Sequence, residues 1–374
     1  MNDVPSSSAT RPPRATAPAG DRLSQTDWDE LARRAQRRRM ASQGALIAFL
    51  VIVSLPVLLP YFWMVAISFS AKSGGVASVV LWQAVSIIIP AVIAVSLVRI
   101  FSPSKSVRTW STIAISGLAV ALIAVLIGPH LHIQNYRFFW VRDIVAELPS
   151  RQGTAGIGTQ FPNIWTAFGN SLLLAVTQTV VVSTVSTLAG YYLSRFAFPG
   201  RAGFLQGLLV LHAFPAMTLV IPIFLIMHWT GMLDTITGVI LVIVTLELPF
   251  SIFIMKGFFD AVPWDIEMSA MADGASRRQA FLRVVLPQVR VGLIAIAVFS
   301  FIKGWEEYVF VRTLLFEKSN WMMSLYLFWV ADDIMGVDYG IVAAVGVFYV
   351  LPSLLLYLFF QKYLTQLNIG GVKG

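Results

Sequence analysis

Eight stretches of the chain, at 44–70, 76–98, 110–130, 165–193, 203–228, 234–256, 289–311 and 340–361, are long and apolar enough to cross a lipid bilayer. About 20 apolar residues span the hydrocarbon layer as a helix, and only helices and closed barrels satisfy their own backbone there. The series predicts an all-α integral membrane protein of about eight transmembrane helices. Charge excludes a soluble globular domain: only 12% of the 374 residues are charged, about half the usual share. The 57% of hydrophobic side chains therefore need lipid rather than water around them. Pro56 and Pro60 are expected to kink the first span, with a neighbouring helix re-satisfying the backbone groups they free.

The absence of cysteine excludes disulfides, iron–sulfur clusters and thiolate zinc sites. The net charge of +8 is distributed as a membrane topology rather than as a nucleic-acid surface. With the N-terminus inside, most of the 27 lysines and arginines fall in cytoplasmic segments, as orientation by positive charge requires. Both termini are then cytoplasmic. Residues 1–43 read as a retained cytoplasmic tail, disordered over 1–23 and then a short basic helix over 26–39. Thr26 and Asp29 have capping-box spacing there, and the arginine-rich end suits anionic headgroups. A three-span segment follows at 44–130, an external segment at 131–164, a five-span core at 165–361 and a cytoplasmic tail at 362–374. The external YRFFWVRDIVAEL stretch is expected to lie flat on the outer surface.

The cytoplasmic loop at 257–288 is the most informative segment. Within PWDIEMSAMADGASRRQAFLRVVLPQ, two short helical runs, 263–272 and 276–285, flank Gly274, and Leu286-Pro287 is expected to end the second. A loop of this length is ordinarily solvated surface. Its apolar residues, among them Met268, Met271, Ala272, Phe281 and Val284, instead predict burial against a partner.

Ala270, Asp273, Gly274, Ala275 and Leu286-Pro287 together resemble the cytoplasmic signature of ABC importer permease subunits. With Gly274 on the signature's glycine, Val284 takes its aliphatic position without a gap, and Met268-Ser269-Ala270 takes the place of its Glu-Ala-Ala triplet. The nearest acid, Glu267, lies one residue earlier. YYLSRFAFPGR at 191–201 and FIKGWEEYVF at 301–310 are also similar to family segments, with Glu306 where Asn is usual. The C-terminal QKYLTQLNIGGVKG is similar to the carbohydrate-uptake, maltose-type branch.

The resemblance runs from about residue 162 to the end, and more weakly over the first span. It implies a type I ABC importer permease fold with two extra helices, at 76–130, in a bacterial inner membrane. It also implies that Glu267, Met268, Ser269, Ala270, Asp273, Gly274, Ala275, Phe281, Leu286 and Pro287 dock as a coupling helix. The docking partner is a cytoplasmic ATP-binding subunit dimer. A second permease subunit, identical or different, and an extracytoplasmic solute-binding protein complete the implied partners. The chain has no GxxxxGK[ST] segment, so ATP is hydrolysed elsewhere, and no enzyme activity or cofactor is expected of it. A sugar or polyol is the implied solute. A polyamine or other small solute is the alternative, because other branches share the loop signature.

Ionisable groups within spans are costly and are functional candidates by default. His212, Glu247, Lys303, Glu306, Glu307 and Tyr308 are the candidate translocation-cavity residues. Lys303 and Glu307 are four apart, so they form either a buried ion pair between spans or a hydroxyl-binding cavity wall. Trp165, Trp229, Trp305 and Trp329 read as interfacial anchors or packing. No catalytic or metal site is expected: the four histidines lack ligand spacing, and adjacent Asp332 and Asp333 point apart in an outer loop. The remaining different class is a secondary transporter driven by protons through Glu247 and His212.

Overall fold

The computed structural model describes residues 25–70, 76–102, 104–141, 162–331 and 338–370, and these are helices and turns with no strand. The tail at 1–23, most of the YRFFWVRDIVAEL stretch, Asp332, Asp333 and the last four residues lie outside the described residues. In chain order the helices are α1 (Gln25–Ser68), α2 (Val76–Phe101), α3 (Lys105–Leu126), α4 (Ile164–Arg195), α5 (Arg201–Ala213), α6 (Val220–Trp229) and α7 (Ile236–Asp260). They continue as α8 (Trp264–Ala272), α9 (Arg277–Ala280), α10 (Leu286–Gln288), α11 (Arg290–Glu306), α12 (Val309–Leu314), α13 (Met323–Ala331) and α14 (Tyr339–Gly370).

Five of these are long and apolar enough to cross a membrane, and two bent pairs raise the number to seven. The first expected span lies in α1, so the eight stretches all find a counterpart. The expected short basic helix is not separate, because α1 runs unbroken for 44 residues with Pro56 and Pro60 inside it. Strong helix formers such as Met40, Ala41 and Gln43 fill the junction.

The expected single span at 203–228 is broken, with α5 and the segment from Ala216 to the end of α6 meeting at 87°. Pro215 explains the break. It lacks an N–H and forces Phe214 into extended backbone, at φ −70° and ψ 128°. The expected span at 289–311 also ends early, since Glu307 is extended (φ −63°, ψ 120°) and the chain restarts as α12.

The chain forms two compact units, one from residues up to Pro60 with Ala91–Ser116, the other from Tyr61–Pro90 with Gly117 onward. In α2 and α3 the apolar windows bury nothing. The second unit is centred on α4, α7 and α11. Gly190 makes the α4–α7 approach possible: a Cβ there would lie 2.8 Å from the Met255 side chain and 2.9 Å from the Lys256 nitrogen. One core cluster gathers Phe138, Leu174, Trp305, Phe310 and Tyr326, and another gathers Val182, Met255, Phe259 and Val285 near α8.

The described part of the YRFFWVRDIVAEL stretch packs through Tyr136 and Phe138, while Trp140 stays exposed. Phe138 is 1% exposed, and Tyr136 meets the Ser68 hydroxyl at 2.9 Å. Asn135 just before it is buried and donates to the carbonyls of Ser68 (3.0 Å) and Ser70 (2.9 Å).

Candidate functional site

The loop after α7 is built by short-range chemistry. Pro263 precedes α8, and Asp265 and Glu267 occupy its first turn, where the helix dipole favours negative charge. The helix stops at Gly274, whose φ of +94° is left-handed, the usual closure of a helix by glycine. There the Gly274 N–H reaches the Met271 carbonyl at 3.1 Å and the Ala275 N–H reaches that of Ala270 at 3.0 Å. Ser276 and Gln279 then form a reciprocal capping box for α9. Residues Phe281–Val285 make a π-turn that passes into α10.

Leu286-Pro287 therefore does not end the second run, as the sequence suggested. Pro287 sits in the first turn of α10, where its missing N–H costs no helical bond, and the wider π-turn relieves its ring. The segment Arg277–Gln288 bends by 73° into α11.

One face of this loop is pinned to its own chain. Glu267 is 1% exposed, pairs with Arg195 Nε at 3.0 Å and accepts the Tyr191 hydroxyl at 2.5 Å. Arg195 also donates from Nη2 to the Val262 carbonyl at 3.0 Å, and its guanidinium lies 5.2 Å from the Trp264 ring centre. Phe281 packs its ring 4.5 Å from Tyr191 and 6.2 Å from Phe259. Glu267 and Phe281 thus face α4 and α7. Met268, Ser269, Asp273, Gly274 and Pro287 are exposed, and Ala270, Ala275 and Leu286 are half-buried.

The polar residues of the spans are brought together more closely than their spacing suggests. His212, Glu247, Lys303 and Glu306 line one cavity of about 760 Å³ with Phe250, Ser251 and residues of α11. His212 stacks on Phe250 with ring centres 4.6 Å apart. Glu247 is buried and accepts a hydrogen bond from Gln178 of α4. Gln178 is a site residue that ionisable character does not reveal, although an amide among the apolar residues of α4 is a visible signal. Gly304 gives it room, because a Cβ there would lie 2.3 Å from Gln178 Oε1.

Lys303 and Glu307 do not pair, unlike Arg195–Glu267 and Lys256–Asp260. The end of α11 at Glu306 turns Glu307 away, and its carboxylate accepts the Phe310 N–H at 2.9 Å. Tyr308 lies on a second cavity, which Glu306 also lines. Trp305 is packing rather than interface, with its Nε1 donating to the Tyr349 carbonyl at 2.9 Å.

Broken spans around largely apolar cavities that carry a few ionisable groups, with a folded helix–glycine–helix loop at one end, define a multi-pass membrane permease. Residues 186–367 match the family described as binding-protein-dependent transport system inner membrane component. The chain is 33% identical over 275 residues to the diacetylchitobiose uptake system permease protein DasC of Streptomyces coelicolor, covering 71% of this chain and 98% of that one. It is 33% identical to the inner membrane ABC transporter permease protein YcjP of Escherichia coli, over 55% of this chain and 74% of that one. It is 30% identical to the trehalose transport system permease protein SugB of Mycobacterium tuberculosis, over 55% and 76%. A bacterial ABC transporter involved in the import of the acidic polysaccharide alginate has a crystal structure that superposes with a TM-score of 0.46 and 20% identity, over 70% of this chain and 98% of that one. The chain belongs to the family of binding-protein-dependent transport system inner membrane components.

Proposed function

We propose that this permease carries a sugar or polyol inward as one subunit of an ATP-driven importer, and that the loop at 257–288 couples it to a separate ATPase. The observation that carries this reading is the two-sided loop. Its inner face is pinned to α4 by the Glu267–Arg195 pair, while Ile266, Met268 and Leu282 are left exposed. A helix held rigidly at one side and bare at the other transmits a push from a docked partner. The push passes to α4 through Arg195 and to α11 through the bend after α10, so both spans move as solid bodies. The cavity around Glu247 and Lys303 then opens alternately to either side of the membrane.

The names of the relatives, which include permease proteins of a diacetylchitobiose uptake system and a trehalose transport system, support a carbohydrate as the solute. In this reading an extracytoplasmic solute-binding protein delivers the sugar, a second permease completes the pathway, and both termini of this chain are cytoplasmic.

Purification of the tagged chain from its native membrane tests the assembly. A Walker-motif ATPase and a second permease, or a second copy of this chain, are expected to co-purify and to separate when Leu286 is changed to Arg. Retention of the ATPase by Leu286→Arg would remove the loop as its docking site.

A further inference from the structure

The basic residues of the first three helices have few acids to face. From Leu31 to Arg142 the sequence contains no Asp or Glu. Asp29 and Glu30 stand four positions before Arg33 and Arg34, the favourable order for pairing along a helix. Arg37, Arg38 and Arg39 have no acid within four positions on either side. Arg99, Lys105 and Arg108 lie around the short joint between α2 and α3. Arg99 and Lys105 are exposed, and Arg108 is half-buried with no hydrogen bond from its Nε. Among the described residues none of these three side chains has an ion-pair partner.

These six basic residues belong to one compact unit, residues up to Pro60 with Ala91–Ser116. α1 crosses the membrane once and α2 returns, so the joint lies on the membrane face from which α1 starts.

Depth decides what meets them. The apolar windows Trp82–Arg99 and Lys105–Leu126 are 18 and 22 residues long. As helix they measure about 27 and 33 Å, which matches the roughly 30 Å hydrocarbon layer. Neither window buries a residue inside the protein, so acyl chains can cover both. Arg99 and Lys105 then stand where the hydrocarbon ends. Trp110, two positions beyond Arg108, is 69% exposed, as suits a tryptophan at the interface. Arg37–Arg39 precede the first span, which starts at 44, by five to seven positions, a rise of about 8–11 Å. That is close to the Debye length of about 8–10 Å, so they act on the same headgroup layer.

We infer that the α2–α3 joint and the arginine run of α1 form a binding site for anionic phospholipid. Acyl chains lie along the bare lengths of α2 and α3, and Arg99, Lys105 and Arg108 hold the phosphate. Arg37–Arg39 add attraction from adjoining headgroups. Zwitterionic lipid fits the same apolar faces but brings no net charge, so charge makes the choice. Each basic residue near an anionic surface is worth about fivefold in binding. The site gives the importer a lipid ligand and stands whatever its solute.

Trp110 reports the site, although it is one of 11 tryptophans. The complete transporter is reconstituted with brominated phosphatidylglycerol or brominated phosphatidylcholine, and the quenching lost in Trp110→Phe is assigned to Trp110. Phosphatidylglycerol should be preferred at least fivefold, and the preference should fall as sodium chloride is raised. Changing Arg99, Lys105 and Arg108 together to Gln should remove it, and changing Arg37, Arg38 and Arg39 to Gln should about halve it. Arg99→Lys with Arg108→Lys keeps the charge and should keep the preference. Protease digestion of sealed vesicles checks that each variant keeps its orientation, and where one does not, the wild-type salt series decides.

Equal quenching by the two lipids, or a preference unchanged in the joint variant, overturns the site. Replacing chloride by inorganic phosphate at equal ionic strength should leave the preference intact, and its loss would make the joint a site for free phosphate instead. Loss of a co-purifying ATPase from the α1 variant, with lipid preference unchanged, would give Arg37–Arg39 to a protein partner and overturn the shared site.

Discussion

Glu267 stands where the family signature is one residue out of step, and its surroundings give the reason for an acid there. It is buried with Arg195 and Tyr191 and holds α8 against the end of α4. Removing one member of a buried pair leaves the other uncompensated and costs about 3–5 kcal/mol. Glu267→Ala is therefore expected to lower the unfolding temperature in detergent and to reduce uptake. The exchange Arg195→Glu with Glu267→Arg should recover part of both, and no recovery in the exchange would mean that the pair is not the anchor.

Gly274 acts through backbone alone. A Cβ there meets nothing within 4 Å, yet φ is +94°, so Gly274→Asp adds about 1–3 kcal/mol of strain and misdirects the loop. ATP-driven uptake should be lost while membrane insertion, read by protease accessibility, stays intact.

Asp234, in the connection between α6 and α7, brackets that connection to the segment after α12. Partial burial pushes its carboxyl up, but the N–H groups of Glu317 and Phe316 and the Asn320 amide outweigh this and hold it below the usual carboxylate range. A depressed folded pKa contributes stability that is fully present above the unfolded value, about 3.9. That stability is lost as pH falls through the lower folded value. Thermal unfolding from pH 6 down to pH 3 should show the wild type converging on Asp234→Asn, and parallel curves would contradict the bracket.

At the scale of elements, the decisive features are close helix approaches and broken spans. Gly304→Ala places a methyl group against Gln178, which is wholly buried and tied to Glu247. Overpacking of this kind costs about 1–3 kcal/mol, and it should loosen α11 from α4 and lower the unfolding temperature. Apolar length and charge placement made the eight hydrophobic stretches legible, because hydrophobic runs register directly in sequence. The turn at Gly274 was legible too, since its chemistry is local. The breaks at Phe214–Pro215 and Glu307 were not. Pro215 bends its span by 87° while Pro249 and Pro352 lie inside continuous helices, and only tertiary packing distinguishes these outcomes. The Lys303–Glu307 pairing failed for the same reason, as helical spacing holds only where the helix continues. Gln178 and Arg195 matter through partners 69 and 72 positions away, Glu247 and Glu267, and such contacts leave no local trace.

Over the whole molecule, a permease core from α4 to α14 carries the loop and the cavity around Glu247, the end of α1 helps to line the second cavity, and α2 and α3 present apolar windows with nothing buried. In the proposed importer this core has no energy source of its own and motion enters through α8. Solute accumulation in proteoliposomes tests this proposal most directly, with the chain alone under a proton gradient compared with the chain plus its co-purified ATPase, second permease and binding protein. Accumulation is expected only with the full set and ATP, and Gly274→Asp should abolish it. Accumulation by the chain alone, driven by the proton gradient, would contradict the proposal.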